Sequence, residues 1–417
     1  MRSFRFRQNV NARHRDGIAQ QSRPRLQIMR RFQGDFQVLR RPSLISLPYS
    51  LDQTLCSRAK AYFQGFRAFR HIHDFSGLCI INQHVKGEYP KRQSSKSKSR
   101  MTQTPTAGNR CFTLGVVIVN YRTPALVEAC LNSIGPMLAP ADAGVVIVDN
   151  ASGDGSFERI SAFCAAAPEA ARLKVVAAPA NDGFSAGNNI GCAAIDSDFV
   201  LFLNSDATVM PGALDALLAA AAASPDAGIF APRIVGSDGV AQVSRFRRHS
   251  PLGEFVDGAQ TGPLTRLFSN AEVPIFPDDT STPGWVSFAA VMIRRSALDK
   301  AGPMDDGFFL YYEDCDYCRS IVQQGFAIAC VDDAVFVHDA GGSTKIREMS
   351  EQHARLPEYY YRARSYYFKK YYGPAGPLMA NLAWCAGRGL ALLRGLFGRA
   401  APRLNDHRGR DIWIGWR

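Results

Sequence analysis

Four short apolar runs between residues 114 and 203 constrain this chain more than any other feature. Leu114–Val119, Gly144–Val148, Leu173–Ala177 and Phe199–Leu203 are built mainly from aliphatic, β-branched and aromatic residues. Runs of this length without polar alternation are the mark of strands buried on both faces. Helical stretches separate them. Thr123 reads as an N-cap with Pro124 at the first helical position, and Leu126, Cys130 and Ile134 share one face of the helix that follows. A second helix starts at about Gly155, and a short third covers about residues 186–195. Gly228–Ala231 is a fifth strand candidate. This βαβα rhythm predicts an α/β fold with a mostly parallel central sheet flanked by helices.

In open α/β sheets the ligand crevice lies at the carboxyl ends of the strands. Polar residues gather at those ends here. The first strand ends in Asn120-Tyr121 and the second in Asp149-Asn150. The third is followed by the stretch Asn181 to Asn189, and the fourth ends in Asn204-Ser205-Asp206. Asp149 can accept hydrogen bonds from a base or ribose, and Tyr121 can stack on a base. Gly183, in the glycine-bearing stretch that opens with Asn181, lets backbone approach a ligand closely. Asn188 offers a side-chain amide. A carboxylate at Asp206, with the amide of Asn204 two residues earlier, can hold a hard divalent cation and the phosphates that the cation bridges. The other reading of Asp206 is a polar helix cap ahead of Pro211 and the Ala-rich residues 213–223. The first strand runs into Asn-Tyr-Arg-Thr-Pro rather than a G-x-G-x-x-G turn, which disfavours hydride transfer.

From about 233 to 283 the pattern fades into Gly, Pro, Ser and Arg, as in a functional loop or lid. Arg245, Arg247 and Arg248 lie there and can close over phosphates, or simply face solvent. Strand character returns at Trp285–Ile293. Trp285 can form an acceptor wall or pack in the core. Helices follow at about 295–301 and 314–325, then short strands at 327–331 and 335–338. Phe308 to Asp316 joins aromatics to Glu313, Asp314 and Asp316 at a helix start. Acids suit helix N-termini, which accounts for Asp316. A carboxylate facing the crevice can serve as a general base. His338 ends an apolar strand just before Gly341-Gly342, where it can meet a metal or phosphate or be structural.

Charge divides the chain unevenly. Residues 1–100 carry 21 Lys+Arg against 5 Asp+Glu, and the remainder 28 against 32. A basic flank suits nucleic acid or a membrane surface. This one has little periodicity and runs through a Ser/Lys tract directly into Met101, so Met101 is expected to be the true start. Residues 1–100 then read as upstream translated sequence or a disordered arm, with no signal peptide before or after Met101. The ten cysteines are scattered, as in a reduced cytosolic protein. Cys315 and Cys318 have CxxC spacing without a second pair, which fits buried thiols or a zinc site. Residues 351–372 look helical and are rich in Tyr and Arg. Residues 375–398 are apolar but broken by Arg388 and Arg394, and no window reaches the roughly 18 uncharged residues of a membrane span. They fit an interfacial helix with Trp384, Leu390, Leu393, Leu396 and Phe397 on one side, or an ordinary packed helix.

Taken together, Val117–Tyr121, Val148–Ser152, Asn181–Gly191, Leu203–Asp206, Gly284–Arg294, Phe308–Arg319 and Val337-His338 resemble the family 2 inverting glycosyltransferases of GT-A fold, in particular their bacterial rhamnosyltransferase-like branch. The resemblance spans about residues 113–345. It implies a nucleotide diphospho-sugar donor, dTDP-, UDP- or GDP-linked, with Asn120, Tyr121, Asp149, Asn181, Gly183, Asn188, Asn204 and Asp206 around the nucleotide. It implies Mg²⁺ or Mn²⁺ at Asp206, the end of a DxD-type motif, with His338 completing the site. It makes Asp314, the second acid of the Glu313–Asp314 pair, the catalytic base, and Trp285 a part of the acceptor side. Asn204 stands where many members have Asp; Asn at this position resembles much of the rhamnosyltransferase-like branch. The Gln-x-x-Arg-Trp motif of processive synthases is missing, which implies transfer of one or a few sugars. The acceptor is then a glycan or lipid-linked glycan in cell-surface polysaccharide synthesis. The place of work is the cytoplasm, with peripheral contact at the inner face of the membrane through the C-terminal region. The expected organisation is a basic segment 1–110, a GT-A domain 111–345 and a helical region 346–417. The alternative is a non-catalytic nucleotide-sugar-binding protein on the same fold, against which the intact Glu313–Asp314 pair and His338 argue. The net negative charge beyond residue 100 argues against a nucleic-acid partner.

Overall fold

The computed structural model describes residues 111–277, 279–338, 346–398 and 401–417, all within one compact unit. The expectations for the first 110 residues, including a start at Met101, and for Gly341-Gly342 lie outside these residues.

The four apolar runs are strands β1 (Phe112–Asn120), β2 (Ala143–Asp149), β3 (Leu173–Ala177) and β4 (Ser197–Leu203). Helices α1 (Pro124–Leu138), α2 (Ser156–Ala166) and α3 (Phe184–Ala193) connect them. Short β5 (Ala207–Val209), α4 (Ala213–Ala223) and β6 (Ala227–Val235) follow. After a second small sheet come β10 (Ala290–Arg294), α7 (Arg295–Ala301), α8 (Glu313–Gln323) and β11 (Ala327–His338). The main sheet has eight strands in the order β3-β2-β1-β4-β10-β6-β11-β5. The β1–β2, β1–β4, β2–β3 and β6–β11 pairs are parallel, while β10 runs antiparallel between β4 and β6. The fold is therefore the expected α/β architecture, a largely parallel sheet flanked by helices.

Strand alternation explains why β1 is apolar at nearly every position. Leu114, Val116 and Ile118 face a core shared with Val127, Leu131 and Ile134 of α1. Val117 and Val119 face the other core, which holds Trp285, Phe288, Phe308 and the tyrosines near residues 311 and 360. Helix α3 lies close on that second face because it has glycines there. A Cβ on Gly191 would sit 2.3 Å from Val117, and one on Gly187 would sit 2.9 Å from Val119.

Several local expectations change. Thr123 does not cap α1 with its side chain; its N–H and hydroxyl instead donate to Oδ1 of Asn120 at 3.2 and 3.3 Å. The segment 233–283 is not one long loop. It holds β7 (Arg245–Phe246), α5 (Pro251–Ala259), α6 (Gly262–Leu267) and β8 (Pro274–Ile275), and β9 (Trp285–Val286) completes a three-stranded sheet with β7 central. Arg245 is paired to Asp332 of β11 and Arg247 to Asp279, so neither is a loose phosphate clamp. The expected strand 285–293 divides into β9 and β10. The two strands expected at 327–338 form one, with a register shift between Val331 and Val335.

The C-terminal part comprises α9 (Ile346–Glu351), α10 (Glu358–Tyr372), α11 (Gly376–Gly395) and α12 (Arg408–Asp411). Helices α5 and α11 cross at glycines. A Cβ on Gly387 would stand 2.1 Å from the Phe255 carbonyl oxygen, and one on Gly258 would stand 2.3 Å from that of Trp384. Buried Arg364 of α10 ties the group together, paired to Glu254 of α5 at 2.9 Å and donating to Asn381 of α11 at 2.7 Å. Trp384 is buried here, its indole N–H donating to Asp257 at 3.2 Å. It therefore does not share the exposed face with Leu393, Leu396 and Phe397. That face carries Leu378, Met379, Leu382 and Leu392 instead, and Leu390 is half-buried. Among the described residues no helix is long and apolar enough to cross a membrane.

Candidate active site

Parallel strands end together, so the sheet delivers its terminal polar residues to one edge. Asn120 of β1 pairs in register with Asp149 of β2. Both are buried, and Asn120 Nδ2 donates to Asp149 Oδ1 at 2.7 Å. Ser152 closes the cluster. Its hydroxyl donates to Asp149 Oδ1 at 2.6 Å and its N–H to Oδ2 at 3.1 Å. Asn120 thus orients Asp149 from beneath. Tyr121 is buried too, with the guanidinium of Arg122 over its ring at 5.0 Å. Arg122 and Ser152 belong to the cluster although nothing in their local sequence singled them out.

The Asn181–Asn189 stretch splits into separate tasks. Asn181 Oδ1 accepts from Asn150 Nδ2 at 2.9 Å and from the Gly183 N–H at 3.2 Å, fastening the turn to the end of β2. Gly183 has φ +97°, and a Cβ there would lie 2.1 Å from the carbonyl oxygen of Phe309. Its freedom is spent on a close approach to the protein's own backbone. Phe184 N–H donates to that same Phe309 carbonyl at 2.9 Å. Asn188 donates back to the Phe184 carbonyl at 3.0 Å within α3. Asn189, which sequence reasoning passed over, grips both backbone groups of Met304 at 2.9 Å.

Asn204 and Ser205 are buried where β4 ends, and the Asn204 N–H donates to the Ala289 carbonyl at 3.0 Å. Strand β5 then pairs antiparallel with β11, setting Ala207 opposite His338. That register brings Asp206 Oδ1 to 3.2 Å from His338 Nε2, with both side chains buried. One carboxylate and one imidazole are a donor set that suits a divalent cation. Among the described residues no cluster of three or more potential ligands forms, so such a cation would draw its other ligands from phosphate oxygens and water. The Cys315 and Cys318 thiols are no metal site. Both are buried, burial pushes both pKa values up, and their Sγ atoms turn to the carbonyls of Tyr312 and Val286.

Residues 308–316 complete the edge. Tyr311 and Tyr312 have φ of +72° and +69°, a left-handed conformation costing roughly 1–3 kcal/mol for each bulky residue. Their rings are held by neighbours. Tyr311 stacks on Tyr359 at 6.0 Å, and Tyr312 packs on Tyr367 at 5.5 Å and on His249 at 4.8 Å. This turn starts α8 with Glu313 and Asp314, both fully buried. Asp314 Oδ1 accepts from the Cys315 N–H at 2.8 Å, whereas its Oδ2 has no protein partner among the described residues. Helix N-termini favour carboxylates, but burial wins here: it pushes the Asp314 carboxyl up to about 7. Glu313 is pushed well up by the same burial and then by Asp314 beside it. Trp285 is corrected. It has no exposed surface, stacks on Phe246 at 4.0 Å, and donates to the Arg247 carbonyl at 2.9 Å, so it is core rather than acceptor wall.

These observations meet what known proteins show. The description of glycosyl transferase family 2 matches residues 115–300. An N-acetylglucosaminyl-diphospho-decaprenol L-rhamnosyltransferase of Mycobacterium tuberculosis is 28% identical over 250 residues, covering 55% of this chain and 77% of that protein. A pre-mycofactocin glycosyltransferase of the same organism is 31% identical over 169 residues, covering 40% of this chain and 32% of its own. Among solved structures, a mannosyltransferase of Pyrobaculum calidifontis in complex with GDP-Man and Mn²⁺ aligns with a TM-score of 0.45 at 13% identity, covering 82% of this chain and 85% of its own. Residues 115–300 thus carry a family 2 glycosyltransferase domain, and the chain is similar to glycosyltransferases, a rhamnosyltransferase among them.

Proposed function

We propose that this enzyme transfers a hexose, rhamnose foremost, from a nucleotide diphospho-sugar to a hydroxyl of a glycan or lipid-linked glycan, with inversion at the anomeric carbon. The observation that carries the reading is the gathering at one sheet edge of a locked carboxylate, Asp149, a buried carboxylate–imidazole pair, Asp206–His338, and a buried acid pair, Glu313–Asp314. The rhamnosyltransferase relative, whose name specifies a decaprenol-linked acceptor, supports the sugar and the acceptor class.

In this reading Asp149, oriented by Asn120 and Ser152, accepts hydrogen bonds from the base or ribose. Asp206 and His338 would hold Mg²⁺ or Mn²⁺, which when bound would supply charge neutralisation of the leaving group. Asp314 Oδ2 takes the proton of the acceptor hydroxyl. The hydroxyl oxygen attacks the anomeric carbon as the bond to the diphosphate oxygen breaks on the opposite face. Burial and the neighbouring Asp314 both push the Glu313 carboxyl up, which opposes two charges on the pair in a buried site. The exposed apolar residues Leu378, Leu382 and Leu392 of α11, with Leu396 and Phe397 just past its end and Arg394 in its last turn, support peripheral contact with the cytoplasmic membrane surface.

The test is a thermal-shift panel of dTDP-, UDP- and GDP-sugars with and without Mn²⁺. One nucleotide should raise Tm, more strongly with Mn²⁺, and Asp206→Ala should lose the metal-dependent part while keeping the rest. No shift with any donor would favour a non-catalytic protein and overturn the proposal.

A further inference from the structure

The acid pair sits at the start of α8, and the groups that hold that start come from α10, over forty residues later in the chain; both helices lie beyond the family-matched residues 115–300. Lys370 Nζ lies 2.7 Å from Asp316 Oδ1 in the first turn of α8 and 2.7 Å from Asp305 Oδ2 in the loop that leads into the 308–312 turn. Tyr371 donates to the same Asp316 oxygen at 2.7 Å, and Tyr366 donates to Asp305 Oδ2 at 3.0 Å. The Asp316 side chain is 3% exposed and that of Lys370 31%, so the contact is buried on the Asp316 side and open to solvent on the Lys370 side. Arg319, one turn further along α8, lies over the Tyr371 ring at 3.8 Å and donates to the Tyr367 hydroxyl at 3.3 Å. The same helix supplies Tyr359, Tyr360 and Tyr367 against the left-handed Tyr311 and Tyr312. A strained turn relaxes unless its surroundings over-determine it. Here α10 spans both flanks of the turn, Asp305 before and Asp316 after.

We infer that α10 is a positioning element of the active site: Lys370, by bridging Asp305 and Asp316 with Tyr371 in support, fixes the entry to α8 and with it the placement of Glu313 and Asp314. The inference rests on the proposed role of Asp314 as base. It assigns a catalytic consequence to a helix remote from the strand ends. A brace that served folding alone would lower Tm and leave turnover per folded molecule intact. A brace that places the base lowers kcat while donor affinity, set by Asp149 and the Asp206–His338 pair, stays as it is.

The experiment compares Lys370→Met, Lys370→Arg and Tyr371→Phe in the full chain, below the melting temperature of each, with the donor and acceptor that support wild-type turnover. Lys370→Met is expected to lower kcat about tenfold to a hundredfold with donor KM within about twofold of wild type, since a misplacement near 1 Å costs that much. Lys370→Arg, which can still span two carboxylates, is expected to recover most of the loss. Tyr371→Phe keeps the ring under Arg319 and removes one hydrogen bond, so it folds and loses a smaller factor, about threefold to tenfold. Wild-type kcat in folded Lys370→Met, or in Tyr371→Phe should Lys370→Met fail to fold, overturns the inference. Inactivity of the wild type with every donor would instead count against the proposed function.

Discussion

Asp314→Asn should abolish sugar transfer, by about a thousandfold or more, with nucleotide-sugar binding near normal. A positioned general base typically contributes 10²–10⁴-fold, and Asn keeps the size of the side chain and its contact with the Cys315 N–H. The variant should also be more stable than wild type at alkaline pH. The folded-state pKa of Asp314 is raised by burial, from the ordinary 3.8 up to about 7. The folded protein therefore holds this proton more tightly than the unfolded chain does. That advantage is full below about pH 4 and is lost as pH rises through about 7. Above pH 7 the folded state carries a buried carboxylate that Asn does not. The Tm of Asp314→Asn should exceed that of wild type at pH 8, and the gap should narrow at pH 5. The sign for activity is the reverse: the base works ionised, so wild-type kcat/KM should rise about tenfold per pH unit below about 7 and then level. Substantial turnover by Asp314→Asn would move the base elsewhere, to Glu313 first. Loss of nucleotide binding would show that Asp314 serves the donor site.

Gly183→Ala should be the most damaging small substitution in the donor region. Its φ of +97° and ψ of −175° lie where residues other than glycine are essentially not found, and the new Cβ would press on the Phe309 carbonyl oxygen at 2.1 Å. Neither partner is a flexible side-chain end; both are backbone, and the Phe184–Phe309 hydrogen bond shares the same oxygen. Strain and overpacking add to about 3–5 kcal/mol, a fall in Tm on the order of 10 °C. Gly153 makes the comparison. It too has positive φ, +64°, but a Cβ there meets nothing within 4 Å, so Gly153→Ala should cost about 1 kcal/mol. Equal melting curves for the two variants would contradict the packing of the 181–184 turn on the 308–312 turn.

What could be read from the sequence follows from the range of the forces involved. The four strands are legible because burial on both faces writes itself into consecutive residues, and strand ends are legible because polarity returns there. The meeting of Asp206 with His338 was implied by the family resemblance alone and by no local pattern, because it depends on the three-residue strand β5 pairing across 132 positions of chain. No three-residue run announces a strand. The segment 233–283 held signals that were passed over. Ser250-Pro251 and Thr261-Gly262-Pro263 each place a capping hydroxyl before an early proline, and in the structure Ser250 and Thr261 accept from the Gly253 and Leu264 N–H groups. For Trp285 and Trp384 an open-surface role and core packing both stood open, because an aromatic side chain alone does not say which side of a sheet or helix the neighbours will cover. A helix start by itself favours an ionised carboxylate at Asp314. Burial of both acids reverses that balance, and no local pattern carries it.

The most direct measurement of the central claim is the anomeric configuration of the product, read by NMR from transfer with the nucleotide sugar that the binding panel selects. A single displacement driven by Asp314 predicts a linkage opposite in configuration to that of the donor. A product that retains the donor configuration would contradict it and would call for a nucleophile that the Glu313–Asp314 pair, as read here, does not supply.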